Sequence, residues 1–189
     1  MEKKNHIRFI TFTAMGIALV VAAQYVGSLL PAGAVIVGPF AVKQLITGSL
    51  VNCILLVFTA CVGVGSAITV GLISAVLASV IGVGPQVIPV VPLIACGNAL
   101  LALIYHLVSV KGHLPGVAGV IAAAAVKCAF LWLTVPAALR LFASVPEKQA
   151  AALSVMFSWP QGLTALVGGV LAILIIPRLK RAKDSEGRR

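Results

Sequence analysis

Between Glu2 and Glu147 the chain contains neither aspartate nor glutamate. A water-soluble domain carries about a quarter charged residues, whereas here 10% are charged and 61% are hydrophobic. A water-facing surface cannot be assembled from such a chain, so its surroundings must be largely apolar. In lipid every backbone polar group needs an internal partner, which a helix supplies within itself. The predicted fold class is therefore an all-α integral membrane protein. The missing acids also remove function classes, because proton relays, cation sites and hard-metal sites rely on carboxylates.

A bilayer crossing takes roughly 20 apolar residues, and on that measure the sequence divides into six spans: 9–30, 40–62, 65–81, 87–109, 114–140 and 150–176. Helix breakers separate them at 31–33, 63–65, 82–85, 111–115 and 144–148. The fifth span is longer than a crossing needs, which predicts a tilt or a bend near Pro136. Pro160 is a second candidate interruption. The expected architecture is a compact bundle of six transmembrane helices, with residues 1–177 forming one membrane domain and 178–189 a basic tail.

The formal net charge of +10 lies mainly at the two ends of the chain rather than in a nucleic-acid-binding face. Lys3, Lys4 and Arg8 precede the first span, and Arg178, Lys180, Arg181, Lys183, Arg188 and Arg189 follow the last. With six spans, both termini and the segments 63–65 and 111–115 share one side. That side holds ten basic residues, against Lys43, Arg140 and Lys148 on the other. The positive-inside rule then predicts cytoplasmic termini for a multi-pass protein of a bacterial plasma membrane. The first segment is too long for a signal-peptide core and is expected to stay as a span. The basic tail is read as a topology anchor.

Reactive side chains are sparse. Cys53, Cys61, Cys96 and Cys128 all fall inside spans without a Cys-x-x-Cys pair, as expected of small buried hydrophobes. His6 and His113 lie in flanks and His106 near the end of the fourth span, none beside an acid that would orient it as a metal ligand or base. No Gly-x-x-x-x-Gly-Lys-Ser/Thr run is present. The expectation is a non-enzymatic protein without metal or cofactor, in which any energy from ATP comes from a partner.

The polar residues within the spans carry the functional reading. At 1.5 Å per residue, Asn52 and Asn98 lie near mid-depth in the second and fourth spans, and Lys127 slightly outward of mid-depth in the fifth. Gln24 and Tyr25 lie in outer turns of the first span, Lys43, Gln44 and Thr47 in those of the second. Trp159 and Gln161 flank Pro160. A lysine at that depth costs roughly 3 kcal/mol on insertion scales, so it must face a cavity, a polar partner or a ligand. Asn52 and Asn98 fit either a hydrogen bond between helices or a ligand contact. Tyr25, Trp159 and Lys43 fit either the interfacial belt or a pocket. Together these groups outline an outward-opening pocket, for which Gln44, Asn98, Lys127, Trp159 and Gln161 are the expected substrate-binding residues. A cationic pocket without acids favours an anionic or neutral polar small molecule. An internal echo accompanies it: Val37-Gly38-Pro39 with Asn52 recurs, 46 residues later, as Val83-Gly84-Pro85 with Asn98.

Ala14, Ala18 and Ala22 repeat every fourth residue and form one smooth stripe on a helical first span. Membrane helices associate where small residues let backbones approach, so the stripe marks a docking face. With six short spans, cytoplasmic termini, this Ala-x-x-x-Ala pattern and the stretches Gln44-Leu-Ile-Thr-Gly-Ser-Leu-Val-Asn52 and Pro92-Leu-Ile-Ala-Cys-Gly-Asn98, the chain resembles the substrate-binding S component of an energy-coupling factor (ECF) transporter. The resemblance implies capture of a vitamin or related micronutrient near the outer face, gated by the segments 30–40, 82–89 and 140–150. It also implies association, through Ala14 and Ala18, with a transmembrane T component and two ATPases, and toppling in the bilayer to release substrate inside. The chain departs from thiamine-type members in lacking pocket acids, and from nickel or cobalt members in lacking a His-rich amino terminus. Two other classes compete. A self-contained secondary transporter or channel would usually carry an ion-coupling carboxylate or an inverted repeat. A membrane enzyme would need a nucleophile with its base in reach.

Overall fold

The computed structural model describes residues 2–30, 35–37, 40–84, 86–142 and 145–186. The apolar runs form helices α1 (Glu2–Ser28), α2 (Val42–Cys61), α3 (Val64–Val80), α4 (Val91–Tyr105), α5 (Gly116–Leu141), α6 (Glu147–Met156) and α7 (Trp159–Glu186). Between α1 and α2 lies a short antiparallel ribbon of β1 (Val35–Val37) and β2 (Phe40–Ala41), with Val37 opposite Phe40. A 3-10 turn at Ile88–Val90 leads into α4, and a π-helical turn at His106–Lys111 ends it. Five segments are long and apolar enough to cross a membrane, while α3, with 17 residues, is shorter. At 1.5 Å per residue α3 reaches about 26 Å, a little under the hydrocarbon thickness of a bilayer.

The expected sixth span, 150–176, is not one rod. α6 stops at Met156 and α7 restarts at Trp159. Pro160 explains the break: it has no N–H to give to the carbonyl four residues back, that of Met156, and its ring clashes with that carbonyl in a continuous helix. As the second residue of a new helix its missing N–H costs nothing. Pro136 behaves differently, because α5 runs unbroken from Gly116 to Leu141 with the proline inside it. Phe40 and Ala41, expected at the start of the second span, belong to β2. Parts of the expected gating segments (31–34, 38–39, 85 and 143–144) and the tail residues 187–189 lie outside the described residues.

α2 is the central helix, packed on α1, α3, α4 and most extensively on α7. Below mid-depth its Leu55, Leu56 and Phe58 join Val20, Val70, Leu101, Ala123 and Ala172 in the main apolar core. A second cluster of Val90, Leu131, Val135, Leu139 and Phe157 lies at the opposite end of α5, under α6. Glycines let the helices beside the asparagines approach closely. A Cβ on Gly168 of α7 would meet the Ser49 carbonyl oxygen and stand 2.9 Å from Asn52 Cβ, too close to be tolerated, so α2–α7 closes up only because this residue is glycine. A Cβ on Gly71 of α3 would stand 3.0 Å from Asn98 Cβ, so α3–α4 would have to shift to admit it.

α1 is the least buried of the long apolar segments. Its buried side carries Thr13, Gly16, Val20, Ala23 and Gly27. Thr13 shares a 2.9 Å hydrogen bond with Ser66 of α3. Ala14, Ala18 and Ala22 are all exposed on the other side. The stripe is thus left unused by packing within the chain.

Candidate functional site

The break between α6 and α7 shapes a cavity at the end of the bundle where α1 finishes and α2 begins. Helix α6 ends in free carbonyls, and the Met156 carbonyl accepts two side-chain amides: Gln44 Nε2 at 3.0 Å and Gln161 Nε2 at 3.3 Å. A carbonyl only accepts, so both amides are oriented with nitrogen toward Met156 and oxygen elsewhere. These bonds tie α2, α6 and α7 together around a cavity of about 420 Å³. That volume lies within the usual range of small-molecule sites. Its wall mixes the polar Gln24, Lys43, Gln44, Thr47 and Gln161 with the apolar Val51, Ile94, Leu153, Met156 and Phe157.

The cavity ends on a buried cluster. Lys127 of α5 is only 3% exposed, and its Nζ donates to Asn52 Oδ1 at 2.6 Å and to Asn98 Oδ1 at 2.7 Å. The donor-only ammonium fixes both carboxamides, turning their nitrogens backward. Asn52 Nδ2 lies 3.4 Å from Thr164 Oγ1 and Asn98 Nδ2 3.5 Å from the Gly71 carbonyl. The Thr164 hydroxyl in turn donates to the Gln161 carbonyl at 3.1 Å. Helices α2, α4, α5 and α7 are therefore joined by one chain of hydrogen bonds through Lys127. The two asparagines of the sequence echo meet on the same ammonium, so each is both an interhelical partner and part of the cavity lining.

An ammonium has three N–H donors, and the two asparagine oxygens account for two of them. Among the described residues, none of those lining the cavity is acidic. Moving an unpaired cation out of water costs several kcal/mol, so Lys127 is a basic nitrogen held by neutral amides with no acid in the lining to pair with it. Higher in the cavity the imbalance has the opposite sense. Gln24 Oε1, Gln44 Oε1 and Thr47 Oγ1 are buried without a hydrogen-bond partner. The Thr47 hydroxyl sits against Gly27 of α1, where a Cβ would collide with it. Gln24, Gln44 and Thr47 all line the cavity, so its wall carries buried acceptors without a partner in the chain.

Of the residues expected to bind substrate, Gln44, Asn98, Lys127 and Gln161 line this cavity together. Trp159 does not. It is 47% exposed, and its ring meets Phe40 of β2 edge-on, 5.3 Å between centroids and 71° between planes. Because α7 restarts at Trp159, its first residue turns to the β-ribbon while Gln161, two positions on, turns to the cavity. Gln24 lines the cavity whereas its neighbour Tyr25 is exposed. Thr164 and the Gly71 carbonyl, which hold the asparagines, were not singled out from the sequence. Their role depends on the register between helices, for which a lone threonine or glycine in an apolar helix gives no signal. Leu153, Met156 and Phe157 enter the wall only because α6 bends over the cavity, and the Ser158-Trp159-Pro160 run was the available cue.

No protein-family model matches the chain, and no curated protein or solved structure is significantly similar to it.

Proposed function

We propose that the protein is the substrate-binding S component of an ECF-type importer. It captures a vitamin or related micronutrient at the outer face of a bacterial plasma membrane and passes it inward with a transmembrane scaffold and two ATPases. The observation that carries this reading is the 420 Å³ cavity with its buried Lys127 cluster and unpaired oxygens. The cavity stops at Asn52, Asn98 and Lys127, beyond which Leu55, Leu101 and Ala123 close the core. A dead-ended cavity with a mixed polar and apolar wall supports capture over conduction, which distinguishes this reading from a self-contained transporter or channel.

Sidedness follows from charge. The cavity end carries Lys43, Arg140 and Lys148, the opposite end the larger group of Lys and Arg, so the positive-inside rule turns the cavity outward and both termini to the cytoplasm. The external motor is supported by the exposed stripe of Ala14, Ala18 and Ala22, which small-residue helix packing would seat on the scaffold. The test is assembly. Co-expressed with a scaffold and ATPase pair, the wild-type chain is expected to co-purify as a complex that Ala14→Trp and Ala18→Trp each disrupt while the variant chain alone stays monodisperse. Undiminished assembly of both variants refutes the docking role.

A further inference from the structure

The cavity's bonding is lopsided in a way that describes its ligand. At the closed end the unmet group is a basic donor: Lys127, buried, has given two N–H bonds to Asn52 and Asn98 and faces no acid in the lining. Toward the opening the unmet groups are acceptors: the amide oxygens of Gln24 and Gln44. The Gln44 oxygen cannot trade places with its nitrogen, because that nitrogen is held by the Met156 carbonyl. Gln44 and Asn52 lie on the same helix, eight residues apart, so the two levels are separated by about 12 Å along α2. The rest of the lining includes the apolar Val51, Ile94, Leu153 and Phe157.

We infer that this cavity takes a small monocarboxylate with an apolar body and N–H or O–H donors at its far end, bound with the carboxylate on Lys127 and the donors on Gln24 and Gln44. A carboxylate supplies the counter-charge that Asn52 and Asn98 do not, and accepts the third N–H of the ammonium. One buried positive charge matches one negative charge, which excludes a phosphate dianion as the preferred group. Lys43 does not alter the assignment, since it sits at the opening, half-buried, one residue before Gln44, where solvent screens it. The far end of the ligand donates because the Gln44 oxygen there, held by its own nitrogen's bond to the Met156 carbonyl, can only accept. This inference rests on the reading of the cavity as a capture site and is independent of the docking partners.

The test uses three matched probes on the full-length chain in lipid nanodiscs, followed by calorimetry: para-aminophenylbutanoate, its methyl ester, and phenylbutanoate. The amino acid-bearing probe has both ends, the ester lacks the charge, and phenylbutanoate lacks the donors. The expected order is para-aminophenylbutanoate tightest, by about ten-fold or more over the ester, the span of one charge-assisted hydrogen bond, and by about five-fold over phenylbutanoate, the span of one neutral one. In Lys127→Met the preference for acid over ester is expected to vanish, and in Gln24→Leu the preference for the amine over phenylbutanoate is expected to shrink, with Gln44 left as the remaining acceptor. The wild-type comparison needs no variant, so it stands even if Lys127→Met fails to fold. Equal or tighter binding of the ester by wild type overturns the inference while leaving the capture reading intact. An acid preference that survives in folded Lys127→Met overturns it too. No binding of any probe counts against both the inference and the capture reading, whereas the assembly assay with Ala14→Trp and Ala18→Trp addresses the docking claim alone.

Discussion

Lys127 is the residue on which the bundle and the cavity both depend. Its ammonium joins α5 to α2 through Asn52 and to α4 through Asn98, so removing one acceptor leaves a buried donor unmet. Asn98→Leu is expected to lower unfolding stability by about 2 kcal/mol, above the usual interhelical hydrogen bond in membranes because the donor is charged. The loss should not add to that of Lys127→Met: once the ammonium is gone, Asn98 no longer has a charge to satisfy. A double-mutant cycle in detergent, read by thermal unfolding, is expected to show coupling of at least about 1 kcal/mol. Strict additivity would mean that the Lys127–Asn98 bond contributes nothing. A lysine in an otherwise apolar segment announces itself in a sequence through its insertion cost, which is why Lys127 was readable as a site residue. Thr164 and Gly71 carry no such cost and became visible only as neighbours of Asn52 and Asn98 in space.

Among the elements, the interruption between α6 and α7 does most to shape the cavity. It frees the Met156 carbonyl for Gln44 and Gln161 and folds Leu153 and Phe157 over the opening. Apolar content alone reads straight through this region, so the sequence reading as one span was a consequence of weighing hydropathy above Pro160. The same break hides which way Trp159 faces, because depth beside Pro160 does not fix a direction and helical periodicity does not carry across residues that are not helical. Trp159 now belongs to the contact that holds β2 to α7 through Phe40, which is fully buried. Trp159→Ala is therefore expected to reduce thermal stability by about 1 kcal/mol, the size of an edge-on aromatic pair, without changing which of the matched probes binds best. A variant of native stability that loses probe selectivity would instead place the indole against the ligand. The remaining helices were readable because each is a run of apolar residues close to bilayer length. The exception is the β-ribbon, whose five residues lie in a stretch too short and apolar to set it apart from a helix start.

At the scale of the whole molecule, a polar cavity at one end and an unused small-residue face along α1 divide the work between capture and docking. The two regions lie on different parts of α1: Gln24 enters the cavity while Ala14, Ala18 and Ala22 face away from the bundle. Substitutions in one are therefore expected to leave the other intact, which makes the two halves of the proposed function separable in the laboratory. The claim that most needs testing is that the Lys127 cavity holds a small molecule. Native mass spectrometry of the full-length chain purified from membranes, beside folded Lys127→Met, addresses it directly. A discrete small-molecule adduct on the wild-type chain, ejected on activation and absent from Lys127→Met, is the expected result. A wild-type chain bare in every charge state, or an identical adduct retained by the variant, contradicts it.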